Sequence, residues 1–147
     1  MRLSRTICYF VVLVSFSVPC FARHMAVVVN KDNKVGEVTS AHLARVFRLE
    51  TRKWADGKDV VLVLHKDSAG EAATLEHLTG MSRVQMQAFI DSHKDSFVVV
   101  DSDSEVLRTV EAIPGAIGLI GVSSINDRVR VVKVGGKLPM EQGYLPH

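Results

Sequence analysis

The densest run of chemically able side chains is His65-Lys66-Asp67-Ser68-Ala69-Gly70-Glu71. It follows a short apolar stretch, Val60 to Leu64, and carries a helix-start signature, a serine with a glutamate three residues on. In that pattern each side chain can satisfy a free backbone donor of the first turn. Open N–H groups at a helix N-terminus, with the helix dipole behind them, favour a small anion. His65, Lys66, Ser68, Ala69, Gly70 and Glu71 are therefore the candidate ligand-binding residues, with backbone donors at Ala69 and Gly70 and positive charge from His65 or Lys66. The competing reading is structural only: Ser68 and Glu71 cap a helix while His65 and Lys66 lie exposed at a strand end.

Other chemistry finds weaker support. The six histidines, His24, His42, His65, His77, His93 and His147, include no pair at the close helical spacing of a zinc site. Ser68, His65 and Asp67 hold the residue types of a hydrolase triad, but sequence neighbours rarely converge as nucleophile, base and orienter, and no G-x-S-x-G elbow is present. The acidic run Asp101-Ser102-Asp103-Ser104-Glu105 reads as a complement to a helix dipole before it reads as a cation site. The chain is thus taken as a non-enzyme, with no catalytic residue, cofactor or metal assigned.

The elements that must position these residues alternate. Met25 to Asn30 is a continuous apolar run of strand length, followed by a turn at Asn33 and Gly36. Thr39 or Ser40 caps a helix with Leu43, Val46 and Phe47 on one face, and Trp54-Ala55-Asp56-Gly57 turns into a strand over Val60 to Leu64. Three helix starts share one signature: Ser68 with Glu71, Ser82 with Gln85, and Ser102 with Glu105. Met81 and Met86 are spaced to staple the second, and Gly80 ends the helix before it. Phe97 to Val100 is a short strand. Pro114-Gly115 breaks the last helix before strands over Ala116 to Val122 and Arg128 to Val134, which Ser123 to Asp127 separate and Gly135-Gly136 closes. Interleaved strands and helices predict an α/β fold, a mixed, largely parallel sheet flanked by helices. In such sheets ligands sit beyond the carboxyl ends of the strands, which nominates the loop after Leu64.

At the N-terminus, Arg2 and Arg5 precede an uncharged run from Thr6 to Ala22, too short for a membrane span of ~20 apolar residues. This pattern predicts a signal peptide over 1–22, cleaved after Ala22, with one domain over 23–147 and a periplasmic or secreted location. Cys8 and Cys20 leave with the leader, so the mature chain can form neither a disulfide nor a thiolate metal site. Arg2 and Arg5 leave too, bringing the 18 Lys and Arg down to 16, equal to the 16 Asp and Glu. A neutral mature chain argues against nucleic acid, which calls for a clustered basic surface.

In order along the chain, Ala26-Val27-Val28-Val29-Asn30, Leu43-Ala44-Arg45-Val46-Phe47 and Trp54-Ala55-Asp56-Gly57 resemble the second lobe of the phosphate-type periplasmic substrate-binding proteins of ABC transporters. Val110-Glu111-Ala112-Ile113-Pro114-Gly115-Ala116-Ile117-Gly118 is similar to the family's V-x-x-x-P-G-A-I-G segment, the most specific match. Val131-Val132-Lys133-Val134, with Gly136, Pro139 and Tyr144, resembles the strand that returns to the first lobe. The resemblance implies one lobe of a two-lobed receptor that holds an oxyanion between its halves, with the partner lobe absent. Halving the contacts of a micromolar site, about −8.2 kcal/mol, leaves about −4.1, which is millimolar binding.

In that family the loop resembles R-x-D-x-S-G-T, whose arginine pairs with the anion while serine, glycine and threonine donate. Asp67 and Gly70 fit, but His65 stands for the arginine, Ala69 for the serine and Glu71 for the threonine. Histidine lacks the bidentate fork, alanine lacks the hydroxyl, and glutamate sets a carboxylate where the anion would lie unless it turns to the backbone of Ser68. Two functions are expected from this. One is a solute-binding-type protein that takes a small oxyanion such as phosphate weakly or within an assembly. The alternative is an interaction or accessory module of the cell envelope that kept the fold and lost phosphate binding. The partners to consider are an ABC permease, another envelope protein, or a second copy supplying the missing wall.

Overall fold

The computed structural model describes residues 24–146, so the expected leader over 1–22 lies outside the described residues. Chain order gives β1 (Met25–Asn30), β2 (Glu37–Val38), α1 (Ser40–Phe47), β3 (Val61–His65), α2 (Ala69–Thr79), α3 (Arg83–Ser92), β4 (Phe97–Val100), α4 (Asp103–Ala112), β5 (Ala116–Gly121), β6 (Val129–Val131) and β7 (Lys133–Val134).

Five strands form the main sheet in the order β4-β3-β5-β1-β6. β3 pairs parallel with both β4 and β5, while β1 pairs antiparallel with β5 and β6, so four strands run one way and β1 runs against them. The expected mixed, largely parallel sheet flanked by helices is what forms. Its parallel part follows from crossovers: α2 and α3 carry the chain from β3 to β4, and α4 from β4 to β5. β2 and β7 make a separate two-stranded parallel ladder.

Side-chain alternation along the buried strands builds two core layers. On one face Val27, Val29, Leu62, Leu64, Ile117 and Leu119 pack with Leu43, Val46 and Phe47 of α1, Leu75 and Leu78 of α2, and Met86 of α3. On the other, Ala26, Val28, Val63, Ala116 and Ile120 pack with Val106, Leu107 and Val110 of α4. Glycine makes the second layer possible. A Cβ on Gly118 would lie 2.9 Å from Val106 Cγ1 and 3.2 Å from the Val63 carbonyl oxygen, so α4 settles onto the sheet only over a bare backbone. At Gly115 the clash would be with backbone, 1.8 Å from the Asp59 carbonyl oxygen, and the Trp54 indole donates to the Gly115 carbonyl at 2.9 Å. The Pro-Gly-Ala-Ile-Gly stretch is thus two close approaches joined by a strand.

Met25–Asn30 and Phe97–Val100 form as expected, and Thr39 caps α1 by accepting from the His42 N–H. Elsewhere the boundaries move. β3 starts at Val61 and includes His65, and β5 stops at Gly121. The strand expected over Arg128 to Val134 splits at Val132, because β6 follows β1 while β7 leaves to pair with β2. β2 itself has no counterpart in the sequence reading. Tyr144 ties this region down: its hydroxyl donates to the Val132 carbonyl and accepts from the Val27 N–H at 3.1 Å.

Candidate functional site

The three parallel strands β3, β4 and β5 end at one rim of the sheet, where α2 and α4 also begin. His65 closes β3, and the backbone then turns through Lys66, Asp67 and Ser68 into α2. The turn is tight, with Asp67 in the left-handed region at φ 61°. Lys66 keeps it against the sheet by donating its N–H to the Val100 carbonyl at the end of β4, 2.7 Å away. Aspartate suits that left-handed position because its short polar side chain tolerates the backbone.

Ser68 is the N-cap of α2, and its Oγ accepts from the Glu71 N–H at 3.3 Å. Ala69 and Gly70 fill the first two helical positions, where no preceding turn supplies acceptors for their N–H groups. Ala69 is exposed and Gly70 half-buried. Gly70 also lets α2 approach β1, since a Cβ there would stand 3.1 Å from Met25 Sδ.

Glu71 departs from the sequence expectation. Its carboxyl does not return to Ser68 to complete a capping box; Oε2 accepts instead from the His65 N–H at 2.7 Å. The side chain is 2% exposed, and Oε1 has no hydrogen-bond partner among the described residues. Burial, opposed by the His65 N–H and reinforced by the nearby Asp103 charge, pushes its carboxyl up to about 8. The same half-box recurs at α4, where Ser102 accepts from Glu105 N–H but the Glu105 carboxylate takes the Asp101 N–H. Only Ser82 with Gln85 forms the reciprocal pair. The two glutamates differ from Gln85 in facing a strand end with an unclaimed donor nearby.

Asp103 is the residue that sequence reasoning underrated. As the first residue of α4 it complements the dipole as expected, but it also joins three segments. Oδ1 lies 2.9 Å from His65 Nδ1, and Oδ2 accepts from the Gly121 N–H at 3.0 Å and from Ser124 Oγ at 2.8 Å. A carboxylate only accepts, so the imidazole donates through Nδ1. His65, expected either exposed at a strand end or as charge for a ligand, is instead half-buried and held to an acid. The only sequence signal for this was position: Asp103 opens the helix after the strand that neighbours β3.

A groove of about 720 Å³ runs beside the rim, between α2, α3 and the β4 edge, with the His65–Ala69 turn and Glu71 at one end and Met86, Ile90 and Phe97 deeper in. Lys66 and Asp67 are exposed at its mouth. All six candidate residues therefore meet in one strand–turn–helix corner, at the rim that the α/β rule selects.

No family model matches the chain. Among curated proteins it is 28% identical over 120 residues to the phosphate-binding protein PstS of Bacillus subtilis (strain 168), covering 78% of this chain and 37% of that protein. Among solved structures it superimposes on an ABC-type phosphate transport receptor from Vibrio cholerae with a TM-score of 0.64 and 20% identity, covering 79% of this chain and 48% of that one. The phosphate-binding protein from Stenotrophomonas maltophilia gives a TM-score of 0.65 at 14% identity, over 80% of this chain and 40% of the other. The chain has the fold of one lobe of a phosphate-type substrate-binding protein. It spans less than half the length of each of these relatives. They are described as binding proteins and a transport receptor. No helix among the described residues is long and apolar enough to cross a membrane.

Proposed function

We propose that the chain is an exported, non-enzymatic binding-type domain, made as a leader over 1–22 and one domain over 23–147. In this reading it keeps a receptor lobe's fold but not receptor-strength phosphate binding, and acts by docking onto another envelope protein or a permease. One observation carries the reading: where the resemblance calls for a hydroxyl donor aimed at an anion, the chain has Glu71, whose buried carboxyl turns to the His65 N–H instead. The neighbouring substitutions agree. His65, in the arginine position, is engaged by Asp103, and Ala69 offers no hydroxyl. The Arg2-to-Ala22 pattern supports export, and the balanced charge of the remainder supports a protein partner over nucleic acid. Equilibrium dialysis of the purified protein against radiolabelled phosphate at pH 7.5 tests it. No saturable retention below millimolar phosphate is expected, and micromolar binding would overturn it.

A second reading is favoured by the open first turn of α2. There a small oxyanion is held weakly by the Ala69 and Gly70 amides, with the exposed Lys66 adding charge. Chemical-shift changes confined to those two amides at millimolar sulfate are its expected signature, and their absence removes it.

A further inference from the structure

The Glu71 carboxyl is the one acidic group among the described residues that is both buried and left with an unpartnered oxygen. Its surroundings do not suit a charge. An ionised carboxylate presents about four acceptor sites, and among the described residues only the His65 N–H donates to it. Asp103, from the start of α4, adds like charge. The other charged or titratable groups on the elements around it are the His65 imidazole at the end of β3, Lys66 and Asp67 in the turn, His24 just before Met25 of β1, Glu76 and His77 farther along α2, His42 and Arg45 of α1, and Arg83 and Asp91 of α3. Of these, His65 is held by Asp103, and Lys66 and Asp67 are exposed and of opposite sign.

The same side chain belongs to the first turn of α2, within one helical pitch of the Ala69 and Gly70 amides. A negative charge there cancels the positive end of the helix that those amides present. We propose that Glu71 is a proton-operated gate on the helix start: protonated, it leaves the Ala69 and Gly70 amides open to a small divalent oxyanion, and ionised, it repels that ligand. The proposal rests on the weak-anion reading above and adds to it Glu71, which departs from the resembled motif. Burial lifts the carboxyl to about 8, so the gate changes state just above neutrality, closing as pH rises. At the effective dielectric of a protein surface, a unit charge within a helical turn of a divalent anion changes its affinity by about tenfold or more.

The test is titration of the purified protein with sodium sulfate at pH 6.5 and 9.5, followed at the Ala69 and Gly70 amides by NMR. Sulfate keeps its charge across that range, so the protein alone supplies any pH dependence. Wild type is expected to bind at least tenfold more tightly at the lower pH. E71Q is expected to bind equally at both, at the tighter value, while H65Q retains the dependence. A wild-type affinity that ignores pH, or a dependence that survives E71Q and disappears in H65Q, overturns the gate while leaving the anion site standing. No shift of either amide in any protein at either pH defeats the anion site and the gate together. Should E71Q not fold, the wild-type Glu71 carboxyl carbon can be titrated directly. Sulfate affinity must then follow its midpoint, and affinity that stays constant through that midpoint overturns the proposal.

Discussion

Replacing Glu71 with glutamine should change how stability depends on pH more than it changes the structure. Burial raises the carboxyl from 4.5 to about 8 in the folded chain. The folded protein therefore holds a proton that the unfolded chain releases above pH ~4.5, and stability falls as pH rises from ~4.5 to ~8 before levelling off. The shift of roughly 3.5 units, at ~1.4 kcal/mol each, amounts to about 5 kcal/mol. The side chain is 2% exposed, so solvent screening takes little from this figure. A loss of that size is a large part of the ~5–15 kcal/mol that holds a domain folded. Glutamine can still accept from the His65 N–H but never ionises, so E71Q lacks the slope. Urea unfolding of both proteins at pH 4.5 and pH 8.5 isolates the effect, because every other titrating group is shared. The stability difference between E71Q and wild type should grow in favour of E71Q by about 4 kcal/mol between the two pH values, most of the full span. A difference that changes by less than about 1 kcal/mol would refute the buried-acid reasoning.

Three further outcomes follow from the packing. Asp103→Ala leaves the Gly121 N–H, Ser124 Oγ and His65 Nδ1 without their acceptor, and should lower unfolding free energy by ~2–4 kcal/mol in urea melts. Gly118→Ala forces a Cβ to 2.9 Å from Val106 Cγ1, and should cost ~1–3 kcal/mol by lifting α4 from the sheet, read by thermal unfolding and by shifts of the Val106 methyls. Tyr144→Phe removes the acceptor of the Val27 N–H and the donor to Val132, at ~1–3 kcal/mol, with hydrogen exchange quickening first at Val27.

The sequence was most legible where structure is local. Met25–Asn30 and Phe97–Val100 are short apolar runs whose burial needs no knowledge of partners, and a serine before each of α2, α3 and α4 marks its helix start. The direction of β1 was not legible, since an apolar hexapeptide reads the same whether its neighbours run with it or against it. β2 is two residues long and exists only because β7 lies beside it. At the site, the position was readable from the strand-to-helix junction, whereas the roles were not. Glu71 and Gln85 carry the same capping signature, but only Glu71 has the unclaimed His65 N–H within reach. The His65–Asp103 contact joins residues 38 apart, a distance that no local pattern spans.

The most direct trial of the account is calorimetry with phosphate on two proteins, the native chain and a variant carrying His65→Arg, Ala69→Ser and Glu71→Thr. The native chain is expected to give no saturable heat below millimolar phosphate at pH 7.5, while the variant, with the donors of the resembled motif restored, gains measurable binding. Micromolar binding by the native chain would contradict the account, because Glu71 and Asp103 would then have left the anion position intact.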